Sequence, residues 1–375
     1  MNPLIVKAYK VRLYPTHNQK VLIEKTFGCT RFVYNYFLDQ SIKKYQTDGT
    51  SSTYNQNSKQ LTELKKHLLW LREVDSDALQ YSLRNLNTAY ENFFRRVKSG
   101  SVPGFPKFKK KSSSASYHSC RAGSTDFCIK NNRIKLRKLG YVKFRGYKHI
   151  PGDIMSVTVS KSASGEYYCS ILCNNIAITS IESARSPVGI DLGLKDFLVT
   201  SDGEKVDNPK FLHESERKLM KLQRRYSRTL PGSKNREKAR ILLAKQHEKV
   251  SNQRNDFLHK LSTDIIKNHD TICIENLQVN NMVKNHKLAK AISDVSWSKF
   301  VAYLSYKAQW YNRQLIKIDT FFPSSQLCSC CGYKNTAVMD LSIRQWSCPN
   351  CSTIHDRDIN AAINILNEGL KLTAI

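Results

Sequence analysis

Four cysteines in two closely spaced pairs constrain this chain more than any other feature. Cys328 and Cys331 are separated by two residues, as are Cys348 and Cys351, and 16 residues lie between the pairs. Two such knuckles can close a tetrahedral site, and four sulfur ligands favour a structural zinc ion. A closed four-sulfur site has no open coordination position, so one Zn²⁺ here would hold a ribbon together and do no chemistry itself. Cys330 sits inside the first knuckle, but the two-residue spacer makes Cys328 and Cys331 the better ligands. The scattered Cys29, Cys120, Cys128, Cys169, Cys173 and Cys273 read as ordinary small thiols.

Catalysis must then lie elsewhere, and the segments around the ribbon suggest where. After Ser186 the chain reads strand (PVGIDLGLKDFLVTS), basic helices (about 209–268), strand (TICIENL), helix (about 296–313), strand (LIKIDT), cysteine segment and helix (about 358–371). That is α/β order. Residues 210–260 carry 15 Lys and Arg against 5 acidic residues, with Pro231-Gly232 as their main turn signal, which predicts a long helical hairpin. Asp191 ends an apolar strand, with Gly193 allowing a close approach; Glu275 ends the strand Thr271–Ile274; Asp358 stands where a helix should begin. Singly, these acids read as a turn residue, a strand-end charge and a helix N-cap. Jointly, strand acid, strand acid and helix-start acid is the order that an RNase H-type fold needs. Convergent carboxylates can hold two Mg²⁺ ions for phosphodiester hydrolysis. Asp196, Glu204 and Asp356 meet the same criteria less well, and Asp356 is expected to support the turn.

The amino-terminal half has a different pattern. Residues 4–14, LIVKAYKVRLY, alternate apolar with basic and predict a strand, while 18–98 read as mostly helical, with a strongly amphipathic stretch from Ala78 to Val97. Ser99–Arg121 reads as a loop or linker, and short alternating segments from about Phe127 to Thr179 predict antiparallel strands. The first strand has no partner among the helices, so it is assigned to this later β region. The expectation is a small barrel with a helical insert. With 375 residues the chain has room for two or three cores.

Charge indicates the partner. The formal net charge is +29, from 60 Lys and Arg against 31 Asp and Glu, and such an excess needs a polyanion. A membrane surface is the competing polyanion, but no segment approaches the ~20 apolar residues that span a bilayer. The start has no signal-peptide pattern, so a cytoplasmic protein is expected.

The phrases GIDLGLKDF, ICIENL, SSQLCSCCG, CPNC and HDRDINAAINI, in that order, resemble those of the transposon-encoded TnpB nucleases of the OrfB family, relatives of the type V CRISPR effectors. KVRLYPTHNQ, CTRFVYN and PGFPKFKKK resemble the same family. The resemblance implies an RNA-guided DNA endonuclease with Asp191, Glu275 and Asp358 as catalytic metal ligands and Asn360 and Arg357 supporting the site. It implies a multidomain α+β and α/β fold: an OB-like wedge barrel (1–17 and 99–183) with an inserted helical recognition domain (18–98), then an RNase H-like (RuvC) nuclease domain (184–375) with an inserted zinc ribbon (324–354). The implied partners are a guide RNA and target double-stranded DNA, with no membrane and a monomer favoured. Base pairing would read most of the target, leaving the protein mainly backbone contacts.

Nucleic-acid contacts are expected from Lys107, Lys109, Lys110 and Lys111 in the PGFPKFKKK loop and from Arg224 and Arg225 on the basic helices. Gln80, with Tyr54, could read an adenine edge, and Asn255 and His259, one helical turn apart, could face the strand together. Three rival readings are a non-cleaving RNA-guided repressor, a transposase, and a zinc-ribbon binder without catalysis. Intact carboxylates argue against the first and last, and strand-transfer products would mark the second.

Overall fold

The computed structural model describes residues 4–111, 115–120, 123, 126–147, 149–178, 187–340 and 342–373. They fall into two compact units, Met1–Ala177 and Ile178–Ile375. The domain boundary expected at 183/184 lies outside the described residues.

The first unit begins with β1 (Leu4–Tyr14), followed by α1 (His17–Asp48), α2 (Tyr54–His67) and α3 (Ser76–Lys98). Thr16 and Thr53 each start a helix through a capping box, with Gln19 and Gln56 closing back on the cap. The helices bury Val33, Phe37, Leu61, Leu71, Leu79 and Leu83 in a core of their own. Six strands follow: β2 (Ala115–Cys120), β3 (Ile129–Lys130), β4 (Arg133–Leu136), β5 (Gly140–Arg145), β6 (Asp153–Lys161) and β7 (Tyr167–Ala177). They form an antiparallel sheet in the order β2-β6-β7-β1-β5-β4-β3. Alternation in β1 buries Tyr9, Val11 and Leu13, and Val11 pairs with Cys169 more than 150 residues away. The first strand therefore lies near the centre of a sheet made from the far side of the helices.

Two expectations need correction here. The sheet is open and not a barrel: β2 and β3 stand at its two ends and do not pair. A two-residue β3 offers little edge to close on. At the other end α3 occupies β2, where Asp77 accepts from the Cys120 N–H and Asp75 accepts from the Ser119 hydroxyl at 2.6 Å. Secondly, Ser99–Arg121 is not all loop, since β2 lies within it. Its sequence, ASYHSC, buries Tyr117 and Ser119, and small polar residues on the inner face hide the alternation.

The second unit contains β8 (Val188–Leu192), β9 (Asp196–Thr200), β10 (Lys205–Asp207), α4 (Phe211–Ser227), α5 (Lys234–Asn268) and β11 (Thr271–Glu275). Then come α6 (Val279–Met282), α7 (Ala289–Val295), α8 (Trp297–Trp310), β12 (Gln314–Ile318), β13 (Gln345–Ser347), β14 (Ile354–Asp356) and α9 (Arg357–Thr373). The stretch expected as one strand is a hairpin: β8 and β9 pair antiparallel, turning at Gly193, where a Cβ would come within 2.8 Å of the Asp196 carbonyl oxygen. The main sheet runs β10-β9-β8-β11-β12, with β8, β11 and β12 parallel. Val188, Ile190, Ile272 and Ile274 pack beneath Phe300 and Leu304 of α8 and Leu258 of α5. The β13–β14 ribbon stands apart on its own core of Val338, Trp346 and the thiol segments.

Candidate nuclease centre and its zinc-type ribbon

Ile190 pairs with Ile274 across the parallel strands β8 and β11. The next residue on each strand is an acid, so Asp191 and Glu275 stand side by side where neighbouring strands lie ~4.8 Å apart. The third acid arrives by helix packing. α9 crosses β8 so closely that a Cβ on Gly189 would be 2.0 Å from the Ala362 carbonyl oxygen and 2.7 Å from the Leu366 nitrogen. Further along, a Cβ on Gly369 would sit 2.3 Å from Cys273 Sγ. Glycine on the strand and glycine on the helix let α9 lie directly on the sheet, bringing Asp358 in its first turn toward the strand-end acids.

The three carboxylates are in different states. Asp191 is pushed up to about 8, by burial first and then by the charges of Glu275 and Asp358, with Arg357 and the Leu192 N–H opposing. Burial also raises Glu275, and the Ser324 hydroxyl, donating to Glu275 Oε1 at 2.6 Å, works against that rise. Asp358 is held by Arg344, whose Nη1 lies 3.3 Å from Oδ2. Asp356, two residues earlier, accepts from the backbone N–H groups of Asp358 and Ile359 at 3.1 and 3.2 Å and pairs with Lys205 at 2.7 Å. It caps the helix that presents Asp358. Asp196 and Glu204 belong to the β8–β9–β10 turns, where Asp196 pairs with Asp207 and the Glu204 carbonyl accepts from Thr200 N.

Cys328, Cys331, Cys348 and Cys351 converge, all four sulfurs lying within 4.8 Å of one another. The Cys328–Cys351 and Cys331–Cys348 separations are both 3.6 Å, close to the ~3.8 Å edge of a tetrahedron with Zn–S bonds of ~2.3 Å. Cys330 is exposed and outside the cluster. His355 brings Nε2 within 3.0 Å of Cys328 Sγ, beneath the Trp346 ring.

Ribbon and carboxylates share a hydrogen-bonded scaffold. Asn360 Nδ2 donates to the Leu327 carbonyl at 2.7 Å, and its Oδ1 accepts from Ser329 N at 2.9 Å, clasping both sides of Cys328. Asn364, one turn on, donates to the carbonyls of Leu327 (2.7 Å) and Ser324 (2.8 Å). Ser324 in turn holds Glu275. Arg357 is buried and donates to the Asp340 carbonyl at 2.9 Å. Sequence reasoning missed Gly189, Gly369, Ser324, Asn364, Arg344 and His355. Of these Gly189, Ser324, His355 and Asn364 carried a signal, lying inside the phrases GIDLGLKDF, SSQLCSCCG and HDRDINAAINI, whereas Arg344 and Gly369 lie outside them.

The expected nucleic-acid contacts are a mixed group. Lys107 and Lys111 are exposed, and so are Arg224 and Arg225 on α4. Lys109 stacks its ammonium 4.1 Å from the Tyr34 ring centroid, its backbone clasped by the Asn35 amide, and Lys110 follows it in the same exposed loop. The Gln80 carbonyl oxygen accepts from Ser58 at 3.0 Å and Tyr54 at 3.4 Å, so its amide is already engaged by its own helices. Asn255 and His259 turn toward α8: Asn255 accepts from Lys299 at 2.5 Å, and the His259 ring stacks 4.0 Å from that of Tyr303. Burial, then Lys307 and Lys299, lower the His259 pKa, and among the described residues it joins no cluster of three or more metal-type ligands.

Comparison with known proteins matches this architecture. A family model described as OrfB_IS605, probable transposase, covers residues 170–286, and the Cas12f1-like TNB domain model covers residues 297–365. A Streptomyces pristinaespiralis protein, named as a candidate RNA-guided DNA endonuclease, is 40% identical over 375 residues, spanning 99% of this chain and 91% of its own. This chain belongs to the TnpB family. Escherichia coli InsQ, named in the same way, is 31% identical, with 97% of this chain and 92% of its own covered. A helix-turn-helix model also matches residues 1–50, where the structure has β1 and the single uninterrupted helix α1. The protein chain of a Cas12f1–sgRNA–target DNA complex superposes with a TM-score of 0.53 at 14% identity, covering 97% of this chain and 99% of its own. The likeness supports a mixed α/β multidomain fold of that type. Among the described residues no helix is long and apolar enough to cross a membrane.

Proposed function

We propose that this TnpB-family protein is an RNA-guided DNA endonuclease whose second unit is an RNase H-like (RuvC) nuclease domain carrying a zinc ribbon. The observation that carries the reading is the placement of Asp191 and Glu275 on adjacent strand ends with α9 pressed onto the same sheet by Gly189. The relatives' names supply the substrate class.

Three acids on separate elements suit Mg²⁺, which takes hard oxygen ligands and retains waters, so its carboxylates need not touch. When bound, two Mg²⁺ would supply water activation and stabilisation of the departing 3′ oxygen. The chain's own residues prepare for that charge. Asp191 and Glu275 are both raised from their ordinary values, so these carboxyls favour the proton, and a bound cation would compete with it. Ser324 fixes Glu275 in orientation, and Arg344 holds Asp358, which would join Asp191 and Glu275 in holding the metal. Four thiols at tetrahedral spacing fit one structural Zn²⁺. The first unit, with the helices as recognition domain and the open sheet as wedge, would hold the guide and the DNA flank by exposed cations such as Lys107 and Lys111.

Asp191→Ala tests the reading. The variant is expected to keep guide RNA and target DNA binding, measured by filter retention, and to lose target cleavage. Undiminished Mg²⁺-dependent cutting by that variant would sink the assignment.

A further inference from the structure

The helical part of the first unit holds a cavity of about 490 Å³ between α1, α2, α3 and the loop that follows α3. Its walls carry five aromatic rings, Tyr45, Tyr90, Phe93, Phe94 and Phe105. Tyr45, Phe94 and Phe105 remain 64%, 48% and 46% exposed. Tyr90 and Phe94 are nearly parallel, with centroids 6.4 Å apart and 23° between their planes. The two rings lie one helical turn apart on α3 and together present a near-parallel aromatic surface, the kind on which a flat base stacks. Phe105 closes the site edge-on against Tyr90 and Phe93, at 5.8 and 5.3 Å.

The polar groups on the wall are specific. Asn57 is 6% exposed and lines the cavity, yet its Oδ1 has no hydrogen-bond partner. A buried acceptor left unsatisfied is destabilising, so the site gains from a ligand that brings a donor. Glu91 adds a carboxylate to the wall, oriented by Asn87 at 2.6 Å. Acceptors on the wall ask for donors on the ligand. The carboxylate excludes a phosphate from the cavity itself, while Arg95, Arg96 and Lys98 in the last turn of α3 provide positive charge beside it.

We infer that this cavity binds one unpaired guanine of a nucleic-acid strand, its ring stacked on the aromatic wall of Tyr90 and Phe94 and its N1–H and N2–H edge toward Asn57 and Glu91. Guanine is the base that presents two adjacent donors on one edge. The inference rests on the nucleic-acid-binding reading but not on the nuclease centre. An apolar peptide would use the aromatic walls but leave Asn57 Oδ1 without a donor, and a second copy of the chain would show as self-association.

The test uses the full chain and uridine 12-mers, RNA and DNA, each bearing one 6-thioguanine or one 4-thiouracil, with photocrosslinks mapped to peptides. The 6-thioguanine strands are expected to crosslink to the Tyr90–Phe94 segment, RNA over DNA if the guide is the source and the reverse if the target is. Phe94→Ala, at an exposed position, and Asn57→Leu, which removes the acceptor, should each lower that crosslink about tenfold, the loss of one stacking or pairing contact. Overall strand affinity by filter binding should stay within about twofold, because phosphates dominate it. Equal crosslinking by 4-thiouracil, strand binding with no crosslink in this segment, or a dimer in sedimentation abolished by Phe94→Glu would each overturn the inference. Failure of the unaltered chain to bind any strand would overturn the broader reading as well.

Discussion

Ser324→Ala tests the coupling between ribbon and nuclease centre. The Ser324 hydroxyl donates to Glu275 Oε1 at 2.6 Å and opposes the burial that raises this carboxyl. Its backbone is held by Asn364, which also grips Leu327 beside the first thiol knuckle. A hydrogen bond to an ionised group contributes about 1.5–3 kcal/mol, and about 1.4 kcal/mol is a tenfold change in an equilibrium constant. Removing the hydroxyl favours the protonated Glu275 and frees its rotamer, and both changes oppose metal binding. The half-saturating Mg²⁺ concentration for target cleavage should therefore rise at least about tenfold. The effect should be greatest at low pH, where Mg²⁺ must displace a proton, and should shrink as pH rises. Ser324→Thr keeps the donor and should restore most of the metal affinity. The assay is single-turnover cleavage against Mg²⁺ at pH 6 and pH 8.5, with Mn²⁺ binding followed separately by electron paramagnetic resonance. A purely structural role for Ser324 would lower the melting temperature and leave the metal dependence alone. Unchanged half-saturation at both pH values, with normal zinc content, would refute the coupling.

Other perturbations probe different parts of the same framework. Asp191 stands at about 8 in the folded chain against an ordinary 3.8, so without metal the folded state holds an extra proton between those values and loses stability as pH rises through that window. Asp191→Asn should accordingly melt several degrees higher than the parent at pH 8 without Mg²⁺ and gain little near pH 4, measured by scanning calorimetry; equal gains at both would count against the assignment. Gly189→Ala places a Cβ 2.0 Å from the Ala362 carbonyl oxygen, and overpacking of this kind costs about 1–3 kcal/mol. It should depress both melting temperature and cleavage, whereas Gly28→Ala, within α1 and with nothing within 4 Å of its added Cβ, should leave cleavage near the parent level. Elemental analysis should find one zinc per chain, and Cys348→Ser should reduce it and lower the melting temperature; full zinc retention would exclude Cys348 as a ligand.

Much of this architecture was legible in the sequence because local chemistry carries it. The spacing of Cys328, Cys331, Cys348 and Cys351 limits their reach to one tetrahedron, and the sulfurs do converge. Alternation identified β1, and its lack of a nearby partner pointed to the later strands, where it pairs with β5 and β7. The barrel was misjudged because closure depends on how the two ends of a sheet meet, and no segment encodes that. Polar inner residues such as Ser119 hid β2 in the same way. Gln80, Asn255 and His259 looked available as contacts because periodicity places a residue on a face without saying what covers it; Ser58, Lys299 and Tyr303 supply that cover.

The sequence by itself determined which residues could do chemistry: four thiols at ligand spacing, three acids at element ends, and an excess of positive charge with no use but a polyanion. Those properties depend on residue type and short separations, which the chain carries locally. Tertiary structure alone decided how the acids meet and what holds them. Asp191 and Glu275 became neighbours only through the parallel pairing of β8 with β11, and Asp358 reached them because two glycines, 180 residues apart, removed the side chains that would have kept α9 off the sheet. Burial beside like charges then set the Asp191 carboxyl near 8. Such a value depends on distance and desolvation, and neither exists until the fold has formed.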